Sequence, residues 1–320
     1  MLGMMPDLGL LILGLVALYF GAEWLVQGAS RLARSLGVSP VVVGLTVVSL
    51  GTSAPELVVC VVAAIQGNPG LAIGNVMGSN LANIGLILGL TSLIHPLEVQ
   101  DRVVWQEMPI MLLITVGIYP IAFDGLFNQT DGVVLLLVLL AYLVWVFRSR
   151  RHTDNSSRQL GLAGNSNESV LALELRDIGQ VVLGSATLVA GGYCLVEGAV
   201  GIATAFHISE VAIGLTIVAI GTSLPELATS LVAAMRQQVD IAVGNIIGSN
   251  VFNLTAILGT TALVESIIIP EAILSRELAG VVFMSLLLVP ILMLRSSGRI
   301  QRWEGALLLA TYIGLGWWLV

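Results

Sequence analysis

The 320-residue sequence contains no lysine, so all 13 of its basic residues are arginine. Charged residues of both signs make up only 10% of the chain, whereas 57% of the residues are hydrophobic and the mean hydropathy is +0.98. Soluble domains carry about 25% charged residues, so a soluble globule of this composition could not cover its surface with polar groups. The composition therefore predicts an integral membrane protein and disfavours soluble enzymes, nucleic-acid binders and disordered scaffolds.

Residues that build disulfide frameworks and transition-metal sites are also scarce. The two cysteines, Cys60 and Cys194, lie in apolar stretches and form no CxxC or Cys/His cluster, which favours two buried thiols. The three histidines, His95, His152 and His207, fall in predicted loops or at the edges of predicted spans. We therefore expect no disulfide, no zinc site and no cofactor.

Long apolar stretches dominate the rest of the chain. A transmembrane helix needs about 20 mostly apolar residues, and stretches of that length predict an all-α integral membrane protein with ten transmembrane helices. The polar segment at 150–177 is rich in Arg, Asn and Ser and is predicted to be a loop that links two halves. The predicted spans are 8–30, 40–66, 71–94, 104–123, 132–149, 178–205, 210–235, 240–264, 276–294 and 303–320.

The arginines predict the orientation of these spans. Arg31 and Arg34 follow the first apolar run instead of preceding it, which is the reverse of a cleavable signal peptide. With the N-terminus outside, 12 of the 13 arginines fall in cytoplasmic loops and only Arg276 falls in an outer loop. We therefore expect both termini outside and the loop at 150–177 in the cytoplasm.

The sequence contains an internal repeat. A shift of 170 residues aligns Val41–Leu90 with Val211–Thr260, and 24 of those 50 positions are identical. The shared segments read GTSAPEL and GTSLPEL, followed by GNVMGSNLAN and GNIIGSNVFN. Each repeat holds five predicted spans, and because five is odd the second repeat must enter the membrane from the opposite side. Two inverted five-helix repeats, at 1–149 and 178–320, are typical of secondary transporters.

Glu56 and Glu226 lie in mid-span at equivalent positions of the two repeats. An ionised side chain such as Asp costs about 2.5–3.5 kcal/mol at membrane depth even on lenient insertion scales, and no arginine lies near the centre of a span. We therefore predict that a cation from outside the protein pairs with these carboxylates. Pro55 and Pro225 beside them remove backbone donors, which predicts broken helices whose carbonyl oxygens suit hard cations.

Side chains that carry oxygen surround both glutamates at helical spacing. Nearby Gly-Asn pairs, at 74–75 and 244–245, indicate either backbone breaks beside the site or tight helix contacts. The candidate oxygen donors are Ser49, Thr52, Ser53, Ser79 and Asn83 in the first repeat and Thr222, Ser223, Ser249 and Asn253 in the second, where Ala219 replaces the first serine.

Two carboxylates among neutral oxygens, without nitrogen or sulfur ligands, indicate a hard cation. Ca²⁺ takes about 6–8 oxygen ligands, and Na⁺ accepts the same oxygens. One Ca²⁺ or several Na⁺ can neutralise the glutamates, but not both sets at once, so the site predicts antiport. Protons could neutralise them equally well, which leaves Ca²⁺/H⁺ exchange as the alternative. The inverted repeats disfavour a channel or sensor, and the spans lack the acid/base or nucleophile constellation of an intramembrane enzyme.

The duplicated GTSxPEL and GNxxGSNxxN segments resemble the alpha-repeats of the cation/Ca²⁺ exchanger superfamily, and among its branches those of prokaryotic Na⁺/Ca²⁺ exchangers. The resemblance spans essentially the whole chain. It implies exchange of Na⁺ for Ca²⁺ by alternating access in a prokaryotic cell (inner) membrane, with spans 1 and 6 sliding, for Ca²⁺ extrusion and calcium homeostasis.

The resemblance also implies the ion ligands. It assigns Ca²⁺ to Glu56 and Glu226 with the carbonyls of Thr52 and Thr222. Asn253 stands where some members have Asp, so this site holds two carboxylates instead of three. As partners we expect the ions Ca²⁺ and Na⁺ and the lipid bilayer, no nucleic acid and no required protein partner. Na⁺ is implied to be held by the glutamates together with Ser53, Ser79, Asn83, Ser223, Ser249 and the Ala219 carbonyl.

Overall fold

The computed structural model describes residues 5–151, 167–206, 219–269, 273–293 and 298–319. These residues are almost entirely helical, with a few two-residue strands. The helices are α1 (Met5–Leu36), α2 (Pro40–Thr52), α3 (Ala54–Ile65), α4 (Pro69–Ile94), α5 (Val103–Ile121), α6 (Gln129–Arg151), α7 (Asn167–Ala205), α8 (Ala219–Gly221), α9 (Leu224–Met235), α10 (Val239–Val264), α11 (273–293) and α12 (Arg302–Leu319). The strands are β1 (Leu97–Glu98), β2 (Leu126–Phe127), β3 (Ile267–Ile268) and β4 (Arg299–Ile300).

Seven helices in the described part of the chain are long and apolar enough to cross a membrane, and α2 with α3, which are bent by 45° to each other, make an eighth if the pair counts as one span. The seven are α1, α4, α5, α6, α7, α10 and α11. The predicted span at 210–235 falls partly outside the described residues, which resume at α8. The predicted tenth span is α12, whose first turn carries Glu304 after Arg302. The all-α membrane architecture is confirmed, and the count of ten spans stays a prediction.

The repeat is visible in backbone details that recur at the 170-residue offset. Wider π-helical turns occur in α4 at Asn83–Leu88 and in α10 at Asn253–Ile257. Further π-helical turns begin α5 and α11, at Val103–Glu107 and Ile273–Glu277. Strand β1 pairs antiparallel with β4, whereas β3, the repeat counterpart of β1, pairs antiparallel with β2. Each ribbon therefore joins one strand from each repeat.

Helices α4 and α10 form the centre of the molecule, where 72% and 94% of their most apolar stretches are buried. Glycine allows α10 to pack backbone against backbone on α2. A Cβ atom on Gly244 would lie 2.8 Å from the carbonyl oxygen of Val41 and 3.1 Å from the Cα atom of Gly44. A Cβ atom on Gly248 would lie 2.6 Å from Ser49 Oγ. This close approach places the second GNxxGSNxxN segment directly against the first GTSxPEL helix.

Helices α1 and α7 pack along a second glycine seam. Its members recur every seven residues and are Gly14, Gly21 and Gly28 in α1 and Gly184, Gly191 and Gly198 in α7. A Cβ atom on Gly21 would lie 2.8 Å from the backbone nitrogen of Leu188, and one on Gly184 would lie 2.6 Å from that of Leu25. Small residues let membrane helices approach this closely, so these glycines bring the backbones of α1 and α7 into direct contact.

Polar side chains tie α1 to its neighbours near the C-terminal end of the helix. Arg31 Nε donates to Asp177 Oδ1 of α7 at 2.7 Å. The buried Glu23 forms an ion pair with Arg236, which directly follows α9. Helix α7 begins at Asn167, so the end of the predicted linker at 150–177 is helical. Its residues 152–166, with His152, lie outside the described residues, as does His207.

The glycine seam predicts that Gly21→Leu destabilises the fold. Overpacking of a tight contact costs about 1–3 kcal/mol, and here the opposing atom is backbone, which cannot rotate away. We expect the thermal unfolding midpoint in detergent to fall by several degrees. Gly9→Leu on the same helix is the matched control, because a Cβ atom there meets nothing within 4 Å. Equal midpoints for the two variants would contradict the seam.

Candidate cation-binding site

Both predicted glutamates lie just after a break in a helix. Helix α2 ends at Thr52 and α3 begins at Ala54, with Ser53 between them at φ −83° and ψ 7°. Pro55 is the second residue of α3, and Glu56 lies in its first turn. Unpaired N–H groups and the helix dipole favour negative charge at such a helix start.

The second repeat builds the same start. Helix α8 ends at Gly221, Ser223 adopts φ −90° and ψ 6°, and α9 begins at Leu224 with Glu226 in its first turn. Each carboxylate therefore lies at the N-terminus of a 12-residue helix.

The serine at each break binds the glutamate of the other repeat. Ser53 Oγ donates to Glu226 Oε1 at 2.9 Å, and Ser223 Oγ donates to Glu56 Oε1 at 3.4 Å. Ser223 Oγ also lies 3.4 Å from Ser79 Oγ. Neither serine caps its own helix with its side chain. The reciprocal bonds bring the two carboxylates into one site between the repeats, and both glutamates are only 1% exposed.

The π-helical turns of α4 and α10 complete this site. Asn83 begins one turn and Asn253 begins the other. The Asn253 turn packs against α3, which carries Glu56, and the Asn83 turn packs against α9, which carries Glu226. Single π-helical turns are frequent at functional sites. Each helix that carries a site glutamate therefore packs against the π-helical turn that begins with an asparagine of the opposite repeat.

Several buried oxygens of the site have no hydrogen-bond partner among the described residues, and no arginine in that part of the chain forms an ion pair with either glutamate. An unsatisfied buried polar group costs about 1–3 kcal/mol, and a charged one costs more. A bound cation would satisfy these oxygens. They are Glu56 Oε2, Glu226 Oε2, Asn83 Oδ1, Ser249 Oγ and Asn253 Oδ1.

The remaining predicted donors have other contacts. Ser49 Oγ donates to the Thr46 carbonyl within its own helix, at 3.2 Å. The hydroxyls of Thr52 and Thr222 donate to asparagines of the opposite repeat, and Thr52 Oγ1 also lies 3.3 Å from the carbonyl of Ser49. Ala219 begins α8. The structure thus brings the serines at the breaks to the carboxylates and ties the threonine hydroxyls to asparagines of the opposite repeat.

The hydroxyl of Thr52 donates to Asn245 Oδ1 at 3.1 Å, and the hydroxyl of Thr222 donates to Asn75 Oδ1 at 3.3 Å. Both belong to the Gly-Asn pairs, for which the sequence left a backbone break and a tight contact open. Helices α4 and α10 run unbroken through these pairs, and Gly244 makes the tight contact. The sequence did not predict that these asparagines bond across the repeats. Their recurrence at the 170-residue offset was the one feature that could have indicated it.

An apolar cavity of about 380 Å³ lies between α3, α7 and the start of α9. It borders Pro55, Thr222 and Pro225 beside the site, and Val189 and Tyr193 of α7. Thr222 in the second repeat is therefore half-buried, whereas Thr52 in the first repeat is fully buried. The two halves of the site differ in their access to this cavity.

A family model described as sodium/calcium exchanger protein matches residues 7–148 and 177–320 of the chain. The chain belongs to this family. The exchanger is accordingly a transporter and not an enzyme, and the family confirms the resemblance seen in the repeated motifs.

Individual relatives cover nearly the whole exchanger. It is 33% identical to the sodium/calcium exchanger MaX1 of Methanosarcina acetivorans, over 95% of each chain. It is 36% identical to the inner membrane protein YrbG of Escherichia coli, over 95% of this chain and 94% of that one. A solved structure of the sodium-calcium exchanger NCX_Mj superposes with a TM-score of 0.83 at 35% identity, over 97% of each chain.

Because each of the two buried carboxylates keeps one oxygen without a partner among the described residues, we expect bound cations to stabilise the exchanger. A ligand at 100 times its Kd adds about 2.7 kcal/mol to the free energy of unfolding. Removing Na⁺ and chelating Ca²⁺ is therefore expected to lower the thermal unfolding midpoint, and adding Ca²⁺ to restore it. Glu56→Gln is expected to lose this response. Glu98→Gln, on an exposed side chain of β1, serves as the control and keeps it. A full response in Glu56→Gln would place the cation elsewhere.

Proposed function

We propose that the chain is a secondary active antiporter that exchanges Na⁺ for Ca²⁺ across the membrane. The single observation that carries the proposal is the pair of reciprocal Ser–Glu bonds, which joins two fully buried carboxylates in one site with unpartnered oxygens around them. Two negative charges match one Ca²⁺. The names of the relatives MaX1 and NCX_Mj support the same pair of ions.

The oxygens of the site divide between the two ions in this proposal. Ca²⁺ binds Glu56 and Glu226 with the carbonyls of Thr52 and Thr222. Na⁺ ions use the same carboxylates together with neutral oxygens of the serines, the asparagines and the Ala219 carbonyl. Because both sets need the same carboxylates, binding of one ion species expels the other, which couples the two fluxes.

Alternating access in the proposal uses the seam between α1 and α7. Residue pairs such as Gly21 and Leu188 give a contact without interlocking side chains, so these two helices can shift while α4 and α10 stay in place. An empty site would hold two bare carboxylates in a medium of low dielectric constant, which disfavours the transition without ions. This energetic cost of the empty site favours coupled exchange over uncoupled transport of either ion.

Ca²⁺/H⁺ exchange is the second candidate, and the same geometry favours it. Each glutamate has one oxygen without a partner among the described residues, and a proton on that oxygen would neutralise the site as effectively as Na⁺. Both candidates use Glu56 and Glu226, so only the coupling ion distinguishes them.

Transport in proteoliposomes tests the proposal. Vesicles loaded with Na⁺ and diluted into Na⁺-free buffer at clamped pH are expected to take up radioactive Ca²⁺. Uptake driven by a pH gradient without Na⁺ would instead establish H⁺ as the coupling ion. Glu56→Gln and Glu226→Gln are each expected to reduce Ca²⁺ uptake to the level of Na⁺-loaded vesicles that contain no protein. Glu98→Gln is expected to transport normally. Near-normal uptake by either site variant would refute the two-carboxylate model.

We further propose that both termini lie outside the cell membrane and that the linker at 150–177, which separates the repeats at 1–149 and 178–320, is cytoplasmic. The 12-to-1 distribution of arginines supports this orientation. Alkaline phosphatase, which is active only outside the cytoplasm, is expected to be active when fused after Val320 and inactive when inserted at 160. The reverse pattern would overturn the orientation.

A further inference from the structure

Asn245 occupies a junction of three helices beside the proposed ion site. Its Oδ1 accepts the hydroxyl of Thr52 from the first repeat, at 3.1 Å. Its Nδ2 donates to Ser230 Oγ at 3.0 Å and lies 3.4 Å from the backbone carbonyl of Glu226. The residue is completely buried. One amide on α10 therefore connects the last residue of α2 to the helix that carries the second glutamate.

Asn75 makes the corresponding contact in the other half of the site. Its Oδ1 accepts the hydroxyl of Thr222 at 3.3 Å, and its Nδ2 lies 3.3 Å from Cys60 Sγ. Cys60 stands at the repeat position of Ser230, so a thiol replaces the hydroxyl that anchors Asn245. Because sulfur is a weak acceptor, and because Asn75 and Thr222 are only half-buried, this half of the network is the weaker one.

A second pair of asparagines in the same helices shows that this pattern is not general. Asn80 Nδ2 donates to the Val76 carbonyl and Asn250 Nδ2 donates to the Ile246 carbonyl, each at 2.8 Å and each within its own helix. Both residues are buried. Burial in the central helices therefore does not by itself direct an asparagine across the repeat interface.

We infer that Asn245 and Asn75 are positioning residues that hold Thr52 and Thr222 across the repeat interface and thereby fix the two helix breaks, and with them Glu56 and Glu226, in the geometry that binds Ca²⁺. Neither asparagine touches the ion in this scheme. Each acts through a threonine whose carbonyl is the proposed ligand. The inference rests on the proposed function, because it concerns the same site and the same ion.

Equilibrium binding of Ca²⁺ to the purified full-length chain tests this role. Asn245→Ala is expected to raise the Kd for Ca²⁺ about tenfold, because Thr52 and Ser230 lose a buried partner. Asn250→Ala, on the same helix and equally buried, is the matched control and is expected to bind like wild type. Asn75→Ala is expected to weaken binding less than Asn245→Ala, because its bonds are the weaker set.

A double-mutant cycle separates positioning from a merely structural role. Thr52→Val keeps the backbone carbonyl and the side-chain shape but removes the hydroxyl, so it breaks the same contact even if Asn245→Ala does not fold. If Asn245 acts through Thr52, the double variant binds Ca²⁺ no more weakly than Asn245→Ala alone. If the Kd of the double variant rises by the product of the two single-variant factors, the inference is overturned.

Ion selectivity supplies a second readout. The threonine carbonyls are proposed ligands of Ca²⁺ and not of Na⁺, so the half-saturating Na⁺ concentration, measured without Ca²⁺ from thermal stabilisation, is expected to change less than the Kd for Ca²⁺. Equal losses for both ions, or Asn245→Ala indistinguishable from Asn250→Ala, would refute the positioning role. Wild-type uptake driven by Na⁺ would still stand in that case, whereas absence of wild-type Ca²⁺ binding would refute the proposed function itself.

Discussion

The structure depends on keeping two carboxylates buried together, and no arginine of the described residues forms an ion pair with either of them. Glu56 and Glu226 are each 1% exposed, and each keeps one oxygen without a partner among the described residues. The protein offsets part of this cost with dipoles instead of charges. Each carboxylate lies in the first turn of a helix and accepts a serine hydroxyl from the other repeat. Dipoles leave the net charge in place, so the site retains its attraction for a cation.

Because the repeats are inverted, one sequence pattern supplies both the buried carboxylate and the serine hydroxyl that donates to the carboxylate of the other repeat. The serine of each GTSxPEL segment would normally cap its own helix, but its hydroxyl reaches the carboxylate of the opposite repeat. The GNxxGSNxxN segments follow the same rule, because Asn245 and Asn75 also bond across the interface. Each half of the site is therefore incomplete without the other. Cys60 opposite Ser230 shows where the two halves have diverged.

The sequence predicted the elements whose cause is local. Apolar length predicted an all-α membrane architecture, and Pro55 and Pro225 predicted broken helices, which the structure places at 53 and 223. The contact between Thr52 and Asn245 could not be predicted, because these residues are 193 positions apart and meet where α2 packs on α10, with Gly44 against Gly244. The π-helical turns and the two strand ribbons depend in the same way on packing between the repeats. The candidate ligands in the site stay predictions, since their coordination depends on the ion.

The proposed ligand set favours release of Ca²⁺ as much as binding. Affinity for Ca²⁺ increases with the number of charged ligands and with the rigidity of the site, and the described residues contain no group of three or more Asp, Glu, His or Cys side chains that could hold a metal ion. In the proposed ligand set, Asn253 supplies a neutral amide oxygen where a carboxylate would add a third charge. With two charges, one Ca²⁺ leaves the site neutral, and removing it restores a charge that only other cations can cancel. A transporter needs this balance, because an ion held by more charge would bind tightly and leave slowly.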